Sequence, residues 1–322
     1  MMERVRRILV ATTALLVSVV PVGTAANADE LVIAVPNWPS AEATAHIMGV
    51  VLEEKLNIDV TYQPAGTLGI FNGIDNGKIH VHPEVWLPNL TSLVEKYRDK
   101  RGTIALSENG VAASQNMCVT RYTAEVTGVK SVSDLADPKM SAKFDSDNDG
   151  QGEIWIGAAT WSSTMIERIR AKSYGYADTM RLLQMPEDVA MATVDASIAV
   201  GRPFVFYCYK PHHLFRLHDI VVLEEDTFDA DKWEIVFPAD DANWLQKSRA
   251  ETGWDASHFH VGFAAKLKEE MPEAASFFEN ITFTSDDITT MSYALQVERQ
   301  EPAKFAKKWV AENSDRIKGW LQ

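Results

Sequence analysis

The spacing of apolar residues predicts alternating strands and helices in the first hundred positions. Short apolar runs at 29–35, 60–62 and 78–81 are typical of strands that are buried on both faces. Between them the pattern predicts a helix from a cap at Ser40 to about Lys55 and a second helix over 67–76, ended by Gly77. This β-α-β-α-β order implies parallel strands with right-handed crossovers. The first part of the chain is therefore predicted to be an α/β unit.

The same alternation predicts a second α/β unit in the middle of the chain. Strands are expected at 117–120, 153–157 and 204–209, with helices over 164–174 and 189–200. Further strands at 220–223 and 260–265 and helices at 272–278 and 302–312 follow. A chain of 322 residues suits two cores better than one. We predict one lobe from residues 29–110 and 219–322 and a second lobe from residues 111–218.

The first 28 residues have the pattern of a secretory signal. Met1–Arg7 contains three arginines, a run of about 15 mostly apolar residues follows, and Ala26-Asn27-Ala28 matches the small-residue cleavage pattern. A membrane anchor would need about 20 apolar residues and a different flank. We expect cleavage near Ala28, export to the periplasm and no insertion of the mature chain into the membrane.

Charge narrows the classes of partner and activity. The net charge is −14, and removing residues 1–28, with three arginines and one glutamate, makes it −16. An acidic surface disfavours nucleic acid and anionic lipid as partners. The sequence has no glycine-rich phosphate loop, no G-x-S-x-G and no Cys/His pair of catalytic spacing. An enzyme is therefore not expected, and an exported hydrolase using Glu84 or His82 is the alternative from a different class.

Two cysteines, Cys118 and Cys208, lie in apolar runs of the predicted second lobe. An oxidising compartment permits a disulfide between them. A buried free cysteine in an apolar strand is equally ordinary. The sequence leaves both alternatives open.

The stretch IHVHPEVWLPN at 79–89 carries the strongest local signal for a binding site. Pro83 cannot donate a ladder hydrogen bond, so we predict that the strand ends there. Glu84 and Trp86 would then lie on a loop beyond the carboxyl end of a buried strand, where ligands bind in open α/β sheets. His80 and His82 share a strand face with Glu84, but their spacing favours two ordinary histidines over a zinc site.

Four aromatic residues follow predicted strands in this way. Ring faces that converge on one point form a cage for a methylated cation, and each face contributes about 0.5–2 kcal/mol once water is excluded. The alternative is that these rings belong to the core. The four candidates are Trp38, Trp86, Trp161 and Tyr209, whereas Trp155, Trp233 and Trp320 are assigned to packing and Trp244 and Trp254 to neither class.

Glu84 bears on the choice of ligand. A carboxyl group beside the cage favours a methylated head without a carboxylate, or one that carries an oxygen able to accept a hydrogen bond from a protonated acid. Because side chains alternate along a strand, Glu84 could equally face solvent. His212 and His213 could counter a ligand carboxylate, which keeps a methylated cation with a carboxylate open as an alternative.

An acidic loop predicts a structural calcium site in the second lobe. Carboxylates at positions 1, 3 and 5 with Gly150 at position 6 can wrap one hard cation. The bidentate glutamate at position 12 is missing, and a solvated acidic turn is the alternative. The predicted ligands are Asp145, Asp147, Asp149, Gln151 and Glu153.

Three segments resemble the glycine betaine-type substrate-binding proteins of ABC transporters. They are HPEVWLPN, AKFDSDNDGQGEIWIGAATWSS and GRPFVFYCYKPHH, in the family's order, and the similarity runs from about Asp29 to Trp320. The resemblance implies an α/β, two-lobed type II periplasmic binding protein fold with a hinge and an interlobe ligand cleft. It places Trp86, Trp161 and Tyr209 at the three cage positions, with Tyr209 where many relatives have tryptophan. Trp38 matches a further aromatic of choline-binding members.

The resemblance also implies a role in transport. The ligand head would dock on Trp38 and Trp86, and hinge closure would bring Trp161 and Tyr209 over it before delivery to a membrane permease. The segment from PNWPSAEATAH to HPEVWLPN is most similar to the trimethylamine N-oxide-binding members, so this osmolyte is the expected ligand. Glycine betaine, choline and dimethylsulfoniopropionate remain alternatives, and a sensor module would differ only in its partner. We expect a monomer.

Overall fold

The computed structural model describes residues 30–322, and a single ten-stranded sheet runs through it. A separate pair of short strands, β10 and β11, accompanies it. The strands are β1 Glu30–Val35, β2 Asp59–Pro64, β3 Val81–Leu87, β4 Ile104–Leu106, β5 Val111–Thr120, β6 Gly152–Trp155, β7 Met180–Leu183, β8 Val205–Lys210, β9 Ile220–Val222, β10 Trp233–Glu234, β11 Arg249–Ala250 and β12 Ser257–Ala264.

Helices cover both halves of the sheet. The longest, α1, lies against strands of the first half and against α12 and α13 from the carboxyl-terminal part of the chain. The helices are α1 Pro39–Leu56, α2 Thr67–Asp75, α3 Thr91–Val94, α4 Arg121–Thr127, α5 Pro138–Ser141, α6 Ser162–Tyr174, α7 Glu187–Val200, α8 Leu214–Leu217, α9 Trp244–Lys247, α10 Leu267–Glu270, α11 Pro272–Asn280, α12 Ser285–Gln296, α13 Pro302–Glu312 and α14 Ser314–Trp320.

The sheet has the order β2-β1-β3-β12-β5-β8-β6-β7, and β5 divides it into two halves. Residues 111–113 at the start of β5 pair with β12, whereas residues 114–118 pair with β8. The chain therefore leaves the first half along β5 and returns along β12. The parallel order β2-β1-β3 confirms the β-α-β-α-β unit predicted for the first part of the chain.

The predicted lobe boundary at residue 219 is displaced in the structure. Strand β9 pairs with β5 in the second half of the sheet, and β11 packs on α6. The buried guanidinium of Arg170 on α6 pairs with Glu225 and donates to the carbonyl of Thr252. Residues 219–256 therefore pack with the second lobe, because their apolar run finds its hydrogen-bonding edge on β5.

Strand β3 does not end at Pro83, as the sequence predicted, but continues through Glu84 and Trp86. The missing N–H is tolerated because β1 pairs with β3 only at Val81. On the other side the register to β12 shifts between His260 and Gly262, so two residues of β3 face one residue of β12. A bulge is where a proline fits inside a sheet.

Helix α1 begins at Pro39 rather than after a cap at Ser40. Trp38 is the residue before the helix and has extended backbone angles, and Pro39 occupies the first helical position. Proline is favoured there because its fixed φ suits the first turn and its missing N–H has no helical partner to lose. The tryptophan is thereby held between the end of β1 and the start of α1.

The two cysteines are joined. Cys118 on β5 and Cys208 on β8 form a disulfide with their Cα atoms 5.8 Å apart. The two strands are antiparallel neighbours, which brings the cysteines together from 90 residues apart in sequence. The alternative left open by the sequence is thus settled by strand pairing.

The prediction of a signal segment falls on residues outside the described range, which starts at Glu30. Among residues 30–322, no helix combines the length and apolar character needed to cross a bilayer.

Candidate functional site

A small cavity of about 40 Å³ lies between the two lobes, and all four predicted aromatics line it. The first lobe contributes Trp38 and Trp86, and the second contributes Trp161 and Tyr209. The lining residues are Trp38, Thr67, Glu84, Trp86, Asn89, Leu90, Gln115, Trp161, Ser162, Ser163, Tyr207 and Tyr209.

The four rings stand nearly perpendicular to their neighbours. Ring centroids are 6.0 Å apart for Trp38 and Trp161, 5.4 Å for Trp86 and Tyr209, and 6.0 Å for Trp161 and Tyr209, with interplanar angles of 84°, 84° and 83°. The ring of Phe259 stacks on Trp86 at 4.8 Å and supports it. Perpendicular walls of this kind form a box in which π faces surround a rounded cation. The box is named here by its four members, Trp38, Trp86, Trp161 and Tyr209.

A tight turn between β6 and α6 aims Trp161 at the box. Gly157 has a φ of 112°, a conformation that favours glycine, and an added Cβ would lie 2.3 Å from the Thr164 hydroxyl. The carbonyl of Ala158 then accepts hydrogen bonds from the Trp161 N–H at 3.0 Å and the Thr164 hydroxyl at 2.6 Å. Trp155, assigned to packing from the sequence, lies behind Trp161 with the ring centroids 5.8 Å apart.

Glu84 joins two tryptophans of the box. Its Oε2 accepts hydrogen bonds from the indole N–H of Trp38 at 2.7 Å and of Trp86 at 3.0 Å. The side chain is fully buried, and Oε1 has no partner at hydrogen-bond distance, although the unpartnered Ser40 hydroxyl lies near the carboxyl group. Because Glu84 and Trp86 are two residues apart on β3, they share one face of the strand. The orientation that the sequence left open is therefore toward the cavity and away from solvent.

The environment raises the pKa of Glu84 to about 7. Burial is the largest cause, because it penalises the charged form. The indole groups of Trp38 and Trp86 and the Ser40 hydroxyl oppose the rise, and the nearby Glu187 carboxylate adds to it. Near neutral pH this carboxyl group therefore exists in both protonation states.

A second buried carboxyl group, Glu187, lies behind the box and was missed from the sequence. Its Oε1 accepts a hydrogen bond from the Tyr209 hydroxyl at 2.6 Å and lies 2.8 Å from His212 Nε2. Burial, followed by the charge of Glu187, raises the pKa of Tyr209 well above its usual value, so the phenol keeps its proton. The only sequence signal was an acidic residue after Pro186 at the start of α7, which predicts a helix terminus and not this contact.

His213 lies outside the cavity that it was predicted to serve. Its Nδ1 is 2.5 Å from the Ser292 hydroxyl on α12, and burial lowers its pKa to about 2. The ring is therefore neutral at physiological pH and offers no charge to a ligand carboxylate. His212 also lies outside the cavity lining and is paired with Glu187.

Polar residues that the sequence did not single out complete the lining. Asn89 and Gln115 exchange two hydrogen bonds at 2.7 and 2.8 Å, and the Tyr207 hydroxyl donates to Gln115 at 2.7 Å. Ser162 and Ser163 form the first turn of α6 and bring the positive end of that helix to the cavity. These contacts join residues of both lobes, so no local pattern indicates them.

The acidic loop brings its four predicted carboxylate ligands together. Oxygens of Asp145, Asp147, Asp149 and Glu153 lie within 4.8 Å of one another. A ligand from the backbone carbonyl of Gln151 stays a prediction. The guanidinium of Arg181 pairs with Asp147 at 2.7 Å, Glu153 at 3.1 Å and Asp149 at 3.2 Å. The carboxylates thus already have a cation from the chain, with which calcium would have to compete.

The histidines before Glu84 have backbone partners. His80 Nδ1 accepts a hydrogen bond from the Val32 N–H at 2.9 Å, and His82 Nδ1 accepts one from the Glu84 N–H at 3.3 Å. Burial lowers the pKa of His82 to about 3. Within residues 30–322 the side chains that cluster closely enough to hold a metal ion are those of the acidic loop. Neither histidine belongs to that cluster.

Known substrate-binding proteins are similar to this chain in sequence. Residues 29–312 match the family model OpuAC, described as the substrate-binding domain of ABC-type glycine betaine transport systems. The chain is 24% identical to the trimethylamine N-oxide-binding protein of Pelagibacter ubique, over 96% of this chain and 97% of the relative. It is 21% identical to a glycine betaine-binding periplasmic protein of Dickeya dadantii, over 78% of this chain and 76% of the relative.

Solved structures share the fold. A choline-binding protein of an ABC transporter in complex with choline superposes with a TM-score of 0.72 at 17% identity, covering 91% of each chain. The closed, glycine betaine-bound lactococcal OpuAC gives a TM-score of 0.69 at 17% identity, covering 91% of this chain and 100% of the other. The chain therefore belongs to the family of substrate-binding domains of ABC-type glycine betaine transport systems, and it has the two-lobed type II periplasmic binding protein fold.

Proposed function

We propose that this protein captures trimethylamine N-oxide, a small methylated onium osmolyte, in the aromatic box and delivers it to the permease of an ABC transporter. The observation that carries the proposal is the carboxyl group of Glu84, which is buried in the cavity lining with Oε1 free of protein partners. The box binds the trimethylated head, and Glu84 binds the oxygen.

The head is recognised by ring faces from both lobes. Trp38 and Trp86 lie in the first lobe and Trp161 and Tyr209 in the second, so a bound head contacts both sides of the cleft. Each face contributes about 0.5–2 kcal/mol to a desolvated cation. The small cavity, about 40 Å³, favours a ligand with little beyond its methylated head.

The position of the Glu84 proton distinguishes the candidate ligands. Oε2 already accepts two indole hydrogen bonds, so a proton on this carboxyl group belongs on Oε1. A protonated Oε1 donates a hydrogen bond to the N-oxide oxygen. With a pKa of about 7, this form is available at neutral pH.

The same carboxyl group disfavours glycine betaine. A ligand carboxylate near Glu84 would place two acids in one buried site, which raises the cost of ionising either. His213, being neutral, does not relieve that cost. Choline competes more strongly with the N-oxide than glycine betaine does. An ionised Glu84 accepts a hydrogen bond from the choline hydroxyl and attracts the positive charge of its head.

The two lobes supply the delivery step. Closure about the β5 and β12 connections excludes water from the box, and the closed form is what the permease receives. We propose that this occurs in the periplasm, after loss of residues 1–28, and that the protein acts as a monomer.

The test is isothermal titration of the mature protein with trimethylamine N-oxide, choline and glycine betaine. We expect the N-oxide to bind tightest at pH 6.5 and Trp86→Ala to weaken it at least tenfold. Tightest binding of glycine betaine would contradict the assignment, and no binding of any of the three would overturn the ligand class. Recovery of the ligand unchanged by NMR after prolonged incubation separates a binding protein from a hydrolase.

A further inference from the structure

Asn37 forms a contact across the cleft that the box itself does not include. It lies in the first lobe between β1 and α1, immediately before Trp38. Its Oδ1 accepts hydrogen bonds from two groups of the second lobe, the Thr160 hydroxyl at 2.9 Å and the Trp161 indole N–H at 3.1 Å. Neither Asn37 nor Thr160 lines the box cavity.

These bonds exist only while the lobes are together. Both donors belong to the turn before α6, whereas the acceptor belongs to the other lobe, so opening the cleft breaks both bonds at once. The Trp161 indole N–H is shared with no other acceptor among the described contacts. The same contact fixes the edge of the Trp161 ring, which stands at 84° to the Trp38 ring.

We propose that Asn37 is a closure latch and a positioning residue for Trp161, stabilising the liganded form without touching the ligand. This inference rests on the proposed function, because it concerns closure around a ligand in the same site. The latch forms after the ligand docks, so it slows dissociation and leaves association unchanged. Asn37 is exposed, so its removal leaves no buried cavity.

Because Asn37 Oδ1 accepts both hydrogen bonds, a double-mutant cycle of Asn37 and Thr160 tests the latch directly. A net neutral hydrogen bond changes an equilibrium about threefold to tenfold. We expect Asn37→Ala to raise the Kd for trimethylamine N-oxide about tenfold and Thr160→Val about threefold. In the Asn37→Ala background, Thr160→Val should have no further effect, since its acceptor is already gone.

Two further variants separate the latch from a general structural role. Asn37→Asp keeps an acceptor oxygen and should remain within about threefold of the wild type. Thr193→Val is the matched control, because the Thr193 hydroxyl bonds only to Val189 within α7 and crosses no cleft. It should leave the Kd unchanged, and all variants should keep the wild-type melting temperature of the ligand-free protein.

The experiment is isothermal titration with trimethylamine N-oxide, glycine betaine and choline, with dissociation rates from stopped-flow tryptophan fluorescence. A rise in both Kd and dissociation rate for Asn37→Ala, restored by Asn37→Asp, supports the latch. If the wild type binds and the Kd of Asn37→Ala stays within twofold of the wild-type value, the latch alone is overturned. The same holds if Thr160→Val weakens binding in the Asn37→Ala background as much as it does in the wild type. A wild type that binds none of the three ligands overturns the proposed function and, with it, the latch.

Discussion

Trp38 and Glu84, 46 residues apart in sequence, are joined by a 2.7 Å hydrogen bond from the indole N–H to the carboxyl group. The bond ties the start of α1 to β3 and fixes two walls of the box relative to each other. It also commits Oε2 of Glu84 to the protein, whereas Oε1 has no partner at hydrogen-bond distance and, in the proposed function, binds the ligand. The protonation of that carboxyl group should therefore be visible in binding.

Binding of the N-oxide and of choline should depend on pH in opposite directions. The N-oxide needs the protonated acid, so its affinity should fall as pH rises through about 7, by roughly 30-fold between pH 6 and pH 8.5. Choline needs the carboxylate, so its affinity should rise over the same interval. Titration calorimetry at the two pH values measures both.

Glu84→Gln is the control for this dependence. An amide accepts from the two indoles and donates from its NH2 group at every pH. The variant should bind the N-oxide with little pH dependence and choline more weakly than the wild type does. Equal pH profiles for Glu84→Gln and the wild type would show that another group titrates.

Burial of Glu84 should also reduce stability at neutral pH. Its folded pKa of about 7 exceeds the ordinary 4.5, so the folded state retains a proton that the unfolded state loses. The stabilising contribution of the Glu84 carboxyl group to the free energy of unfolding is largest below pH 4.5. It falls by about 3 kcal/mol as pH rises to 7 and above. In urea denaturation, the free energy of unfolding of Glu84→Gln should increase relative to that of the wild type between pH 4.5 and pH 7.5. Parallel curves would contradict the raised pKa.

Tyr209 should act mainly through its ring. Replacing it with leucine keeps an apolar side chain but removes the π face, which should weaken N-oxide binding about tenfold, or about 1.4 kcal/mol. Replacing it with phenylalanine keeps the face and loses only the bond to Glu187, so we expect at most about a threefold effect. Equal losses for the two variants in calorimetry would assign the role to the hydroxyl.

The disulfide should contribute substantially to stability. Cross-linking residues 90 positions apart restricts the unfolded chain, and the loss of loop entropy corresponds to about 4.6 kcal/mol. The double variant Cys118→Ala/Cys208→Ala should lower the free energy of unfolding by this order in urea titrations. A loss below about 1 kcal/mol would show that the native strand pairing suffices without the covalent link.

Calcium binding by the acidic loop remains a prediction, and Arg181 provides its test. The guanidinium pairs with three of the carboxylates, so Arg181→Gln should strengthen calcium binding severalfold by removing the competing cation. Melting temperatures with 1 mM calcium chloride or with EDTA measure this for both forms. If calcium shifts neither melting temperature, the loop is a solvated acidic turn held by Arg181.

The sequence predicted the α/β alternation and the four aromatics of the box because these depend on local patterns. The strands are marked by short apolar runs, and the end of the second helix is marked by Gly77. Pro83 misled the strand assignment, since the bulge that accommodates it depends on β12, nearly 180 residues later. A rule based on neighbouring residues cannot account for pairing with a strand so distant in sequence.

Contacts between distant elements account for the remaining differences. Glu187 contacts Tyr209 and His212 because α7 packs beside the end of β8. His213 contacts Ser292 because α12 packs against it. The lobe boundary moved for the same reason, because β9 pairs with β5 and not with a neighbour in sequence. The sequence did not single out Glu187 and assigned His213 to the cavity, because the partners of both residues are set by tertiary packing.

The pairing of residues 111–113 with residues 257–259 makes the second lobe a removable cassette. Both ends of the intervening segment leave the first lobe side by side, so a second lobe from a relative could be joined at the same two strands. Such an exchange would replace Trp161 and Tyr209 while leaving Trp38, Glu84 and Trp86 untouched. The exchange would therefore separate the contribution of each lobe to ligand preference and to closure, since both properties depend on residues from the two sides of the cleft.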